Sequence, residues 1–148
     1  MRVADALQST TLVFLDTAPV IYFVEKNPQY ISVVEIIFDS IDKGIFSAIT
    51  SPLTLAESLV VPIRSNWMAL QSDYMQLITK GINTQFVSLN ERASISAAEL
   101  RAKYNIRLID ALQIGVALET GCDAFLTNDA MLSRVTEIKV IMIDDLEP

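Results

Sequence analysis

The chain contains no histidine. That removes Ser-His-Asp and Cys-His nucleophile chemistry, histidine general bases and nearly all zinc sites. Any catalysis must rest on carboxylates, metals, hydroxyls or lysine. Cysteine occurs once, at Cys122. A single thiol excludes an internal disulfide framework and fits a reducing cytosol. With no histidine to activate it, Cys122 reads as a buried structural residue. No stretch reaches about 18 uninterrupted apolar residues, so no membrane span is expected. Before Asp16 there are one Arg, an early Asp5 and no long apolar run. No signal peptide is therefore expected, and the chain reads as cytoplasmic. Positive charge is also scarce. Lys and Arg number 11 against 18 Asp and Glu, a net charge of −7. Broad, sequence-independent coating of DNA does not fit that balance. A small nucleic-acid site does, because carboxylates clustered around a bound metal are locally neutralised.

What is present is apolar. Hydrophobic residues make up 51% of the 148, and mean hydropathy is +0.39. This is the composition of one folded domain, residues 1–148, with a real core. No internal repeat, low-complexity tract or linker interrupts it. Apolar runs alternate with helical patterns, which predicts an α/β sandwich around a parallel sheet. Strands are expected near 12–15, 45–49, 84–89, 123–127 and 138–143. Helices are expected near 17–25, 29–43, 51–62, 65–80, 91–104 and 108–120. Ser51-Pro52 reads as an N-cap followed by Pro at the first helical position. Gly44, Gly81 and Gly121 read as helix stops. The segments 51–62 and 65–80 read as a helical hairpin broken at Pro62.

Four acidic residues are placed to converge. Ligands of open parallel sheets bind at the carboxyl ends of the strands. Asp16 follows the first strand and Asp129 the fourth. Glu57 lies on the helix leaving the second strand, and Asp110 near the start of the helix feeding the fourth. Each has a plainer reading: Asp16 as a cap, Asn128-Asp129 as a turn pair, Glu57 as a solvated helical residue. Asp110 resists one. Its helix, Leu108 to Leu118, is apolar nearly all round and should be buried. Asp110 and Gln113 are its only polar residues, one turn apart on one face. A lone buried Asp needs a partner, a cation or a solvent-filled cleft.

Four blocks carry a family resemblance. They are Leu15-Asp16-Thr17 with Val20-Ile21; Thr54-Leu55-Ala56-Glu57; Leu108 through Ile114; and Phe125-Leu126-Thr127-Asn128-Asp129. In this order the chain resembles the PIN-domain family and, in size and layout, the VapC-like toxins of toxin–antitoxin pairs. The resemblance implies a three-layer α/β/α sandwich with strand order 3-2-1-4-5. It implies a ribonuclease dependent on Mg²⁺ or Mn²⁺, with Asp16, Glu57, Asp110 and Asp129 as an acidic tetrad. Thr127, Thr54, Asn128 and Gln113 stand as supporting residues. It further implies frequent dimerisation and, for toxins, a small antitoxin partner.

Phosphodiester hydrolysis fits such a site independently, since it needs an activated water and neutralised phosphate charge. Asp16, Asp110 and Asp129 are the expected metal ligands. Glu57 either binds a second metal or orients the water, and the residues leave both open. Arg107, Arg101, Lys103 and Arg64 are candidates for substrate phosphates; a solvated basic helix end is the plain alternative for each. Rival acidic-pocket enzymes fit worse. A haloacid-dehalogenase-type phosphatase wants a second Asp where Ala18 stands. A response-regulator receiver wants a Lys where Ile143-Asp144-Asp145 stands. A PIN-like binding module without catalysis, and a PIN nuclease that is not a toxin, remain as alternatives. The apolar helical stretches near 29–43 and 51–80 exceed what one small sheet needs. A homodimer, with a separate groove for an antitoxin segment, is expected from them.

Overall fold

Leu12–Leu15 (β1) is the central strand of the sheet, and its side chains alternate between two cores. Val13 and Leu15 point into one core, Phe14 into the other, as the two-residue period of a strand requires. The computed structural model describes residues 1–148. The other strands are β2 (Ser47–Thr50), β3 (Thr84–Phe86), β4 (Ala124–Thr127) and β5 (Lys139–Met142). All pairings are parallel, in the order β3-β2-β1-β4-β5. Helices are α1 (Val3–Ala6), α2 (Thr17–Val24), α3 (Ile31–Asp42), α4 (Pro52–Arg64), α5 (Met68–Lys80), α6 (Glu91–Tyr104) and α7 (Leu108–Glu119). The expected three-layer sandwich and strand order are thus what the chain adopts.

One face of the sheet is covered by α2, α3 and α5, with Val34, Ile37, Ile41, Tyr74 and Ile78 buried against Val13 and Leu15. The other is covered by α6 and α7, with Ile114, Ala117, Ala93 and Ala97 against Phe14, Ile49 and Phe125. Phe14 and Phe125 stack with parallel rings, centroids 5.1 Å apart. The two helices of this face approach very closely. A Cβ on Gly115 would lie 2.4 Å from the Ala93 carbonyl oxygen. Gly115 is therefore the residue that lets α7 seat against α6, and α7 carries Asp110 and Gln113.

Several boundaries differ from expectation. Pro62 does not break its helix; α4 runs on to Arg64. Pro62 sits in the last turn, where the one ladder bond it forfeits costs little continuity. The break comes instead at Ser65-Asn66-Trp67, with Asn66 at φ 57°. Gly81 ends α5 in an extended conformation, φ −61°, and the left-handed residue is Asn83. Gly44 and Gly121 do take positive φ. The strand expected at 84–89 stops at Phe86, and that at 138–143 at Met142, where a 3-10 turn (Ile143–Asp145) begins. Helix α1 carries no side-chain cap and forms because Val3, Ala6 and Leu7 are buried. No helix is long and apolar enough to cross a membrane.

Candidate active site

Strand order reverses at β1: β2 and β3 lie to one side, β4 and β5 to the other. That is the switch point where parallel sheets open a crevice at their carboxyl ends. Asp16 leaves β1 there, its backbone N–H bonded to the Leu126 carbonyl of β4 at 3.0 Å. As N-cap of α2 it accepts the Thr17 N–H on Oδ1 at 2.8 Å. Its Oδ2 accepts the Thr127 hydroxyl at 2.7 Å. Asp16 is only 7% exposed. Burial pushes its carboxyl up to about 6, the two hydrogen bonds pulling it partly back and the charges of Asp110 and Glu57 raising it further. The protein thus holds a carboxyl poised near neutrality, flanked by two like charges.

The cleft above Asp16 encloses about 450 Å³ and is lined by Thr17, Tyr22, Glu57, Arg107, Asp110, Asn128 and Asp129 among others. The four acids expected to converge do border one cavity. Glu57 is half-buried on α4 and held through one oxygen. Its Oε1 accepts the Thr17 hydroxyl at 2.7 Å and the Gln113 amide at 3.0 Å. Gln113 is in turn fixed by the Thr54 hydroxyl, 3.0 Å from its Oε1. This buried Thr54–Gln113–Glu57 relay leaves Glu57 Oε2 with no partner in the protein. Asp129 caps the 3-10 turn Ala130–Arg134 through the Met131 N–H at 2.9 Å. The Asp129 N–H donates to Thr127 Oγ1 at 3.1 Å, so Thr127 ties Asp16 to Asp129. Asn128 donates to the Tyr22 hydroxyl at 3.1 Å and accepts the Asp144 N–H at 2.9 Å, which fixes the cleft rim.

Asp110, in the first turn of α7, is buried and grips Arg107 with both oxygens. The Arg107 Nε donates to Oδ2 at 2.9 Å and Nη2 to Oδ1 at 3.1 Å. Of the four expected phosphate-binding cations only Arg107 lines the cleft. Arg101 donates to the Ile106 carbonyl, closing the C-terminal end of α6. Lys103 pairs with Glu137 at 3.1 Å. Arg64 is exposed at the end of α4, outside the cleft. These three are helix-end residues, the plain reading of each. Thr17 was not among the expected site residues, although it adjoins Asp16; its hydroxyl role depends on α4 packing beside α2. Cys122 is partly buried, and that burial pushes its thiol up to about 11, which disfavours the thiolate.

In this conformation no three carboxylates stand as a ready cation cage. Asp110 is taken up by Arg107, and Glu57 is held by Thr17 and Gln113. The donor set is nonetheless all hard oxygen, which suits Mg²⁺ or Mn²⁺. A second hollow, of about 510 Å³, lies between α2, α3 and α5. Its charged residues are exposed and of both signs, so the buried acids of the switch-point cleft are the stronger chemical site.

The profile of the family described as PIN domain matches residues 13–138, and the chain belongs to the PIN-domain family. No curated protein matches it in sequence. Among solved structures it resembles Rickettsia felis VapBC2 bound to a promoter DNA fragment, at TM-score 0.72 and 15% identity over 89% of this chain and 98% of that one. It resembles FitAcB from Neisseria gonorrhoeae at 0.68 and 18%, over 90% and 99%. It also resembles Mycobacterium tuberculosis VapC20, a toxin cleaving the sarcin-ricin loop, at 0.63 and 13%, over 76% and 86%. At such identities the likeness is one of fold.

Proposed function

We propose that the protein is a divalent-metal-dependent endoribonuclease, the toxin of a toxin–antitoxin pair. The observation that carries this is the pairing of two buried acids, Asp16 and Asp110, from separate elements on one switch-point cleft with Glu57 and Asp129. Membership of the PIN-domain family and the likeness to toxin–antitoxin structures support the same reading. Asp16, Asp110 and Asp129 would hold Mg²⁺ or Mn²⁺, with Glu57 beside them. The bound cation supplies phosphate-charge neutralisation and lowers the pKa of water.

The chain's own residues do the rest. Thr127 holds Asp16 and Asp129 in fixed relation. Thr17 and Gln113 hold Glu57 through Oε1, which leaves Oε2 free of protein partners to take a water. That water's oxygen would attack phosphorus as its proton passes to a cleft carboxylate, and the P–O bond to the leaving ribose oxygen would break, that oxygen taking a proton from solvent. Arg107, the one cation lining the cleft, would take a substrate phosphate oxygen once free of Asp110.

The partner side of the proposal rests on exposed apolar residues along the α4–α5 turn: Val60, Val61, Ile63, Trp67 and Met68. A second copy of the chain or a small antitoxin would cover them. Cleavage of RNA by purified protein in Mg²⁺ or Mn²⁺, abolished by EDTA, tests the enzyme. A small adjacent reading frame whose product neutralises the chain in cells tests the toxin. Cleavage without neutralisation would leave a nuclease that is not a toxin.

A further inference from the structure

Arg107 is the one cation lining the cleft, yet its guanidinium is already engaged. It meets both Asp110 oxygens at 2.9 and 3.1 Å, so each oxygen holds a guanidinium N–H while the pair stands. The partners are unequal. The Asp110 side chain is 4% exposed and anchored on α7, whereas that of Arg107 is 67% exposed. Arg107 is the N-cap of α7, with extended backbone (φ −60°, ψ 145°) and no side-chain capping bond. Its side chain can leave without unwinding the helix. Asp110 lies in the first helical turn, where the helix dipole still favours its charge once the arginine is gone. The geometry is that of a fixed anion and a removable cation.

We propose that Arg107 is a latch on the metal site. This rests on the metal-nuclease reading above and deepens it. In the cation-free protein Arg107 neutralises Asp110, which would otherwise be a buried acid beside Asp16 and Glu57. A guanidinium laid across both oxygens covers the edge a cation would approach and repels its charge. Cation binding therefore favours release of Asp110 by Arg107. The released guanidinium stays on the cleft rim, three residues from Asp110, and takes a phosphate oxygen of the RNA. Arginine binds carboxylate and phosphate with the same two-pronged geometry, so one side chain serves both states. Metal site and phosphate site become available in that order.

The test uses the full chain at about pH 8, with metal binding measured before any RNA is added. Mn²⁺ is titrated calorimetrically into wild type, Arg107→Ala and Arg107→Gln. Removing the competing guanidinium should tighten Mn²⁺ binding by about tenfold, the order expected for losing one charge-assisted pair. The KM for RNA should move the opposite way and rise. A merely structural role would weaken both. In wild type, the Arg107 Nε–H signal in side-chain NMR should be sharp without metal and should shift and broaden on saturation with diamagnetic Mg²⁺. That measurement needs no variant to fold. Equal Mn²⁺ affinity in all three proteins, with an unmoved Arg107 signal, would overturn the latch and leave the nuclease reading standing. Absence of any Mn²⁺ binding would overturn both.

Discussion

Asp16→Asn should make the metal-free protein more stable at neutral pH and not at acid pH. The carboxyl is pushed from 3.8 to about 6 by burial and by two neighbouring acids. A raised carboxyl pKa means the native state binds the extra proton, so stability falls as pH climbs from about 3.8 through about 6. The full penalty of the charged form is about 3 kcal/mol above that window, and about 2 of it accumulates between about pH 4.5 and 7.5. Asparagine does not titrate. It keeps one acceptor for the Thr17 N–H or the Thr127 hydroxyl, and loses about 1 kcal/mol for the other bond at every pH. The variant should therefore exceed wild type by about 2 kcal/mol at neutral pH, or about 4–8 °C in melting temperature for a chain of this length. Denaturant unfolding in EDTA across the pH range reads the difference directly. A gap that stays constant from acid to neutral pH would refute the buried-charge reasoning.

Other consequences are equally specific. Thr127→Val removes donors and acceptors to both Asp16 and Asp129, and should cost about 1–3 kcal/mol in chemical denaturation. It should also lower RNA cleavage by more than the loss of folded protein explains. Gly115→Ala forces a methyl group against the Ala93 carbonyl and should cost about 3 kcal/mol or more, read as a lowered denaturation midpoint. Cys122, with its thiol at about 11, should resist alkylation in native protein at neutral pH and react once the protein is unfolded. Rapid native labelling would show that the residue is less shielded than its packing indicates.

Much of the fold was legible because each core strand is a short apolar run and each long helix has a marked end. Ser51-Pro52 and the residues around Gly44 and Gly121 bounded elements as their chemistry requires. Pro62 misled, because a proline in the last turn interrupts little. Helix α1 was invisible, since four residues without a capping side chain are helical only through tertiary burial. Asp110 and Gln113 could be picked from an otherwise apolar helix, and both are buried on the site. Thr17 as a donor to Glu57, and the arrest of Asp110 by Arg107, were not legible. Both are contacts of side-chain direction, which spacing along the chain does not specify. Arg101 and Lys103 were placed near the site by sequence and turned from it by a carbonyl and a glutamate that folding brings close.

Metal-dependent RNA cleavage at the Asp16–Asp110 cleft can be read directly. The most direct measurement is the cleavage rate of a mixed RNA pool by wild type and Asp110→Asn, each in Mg²⁺, Mn²⁺ and EDTA. Wild type should cleave with either ion and stop in EDTA, while folded Asp110→Asn should be nearly inactive in all three. Cleavage by wild type that survives EDTA, or undiminished cleavage by Asp110→Asn, would contradict the account.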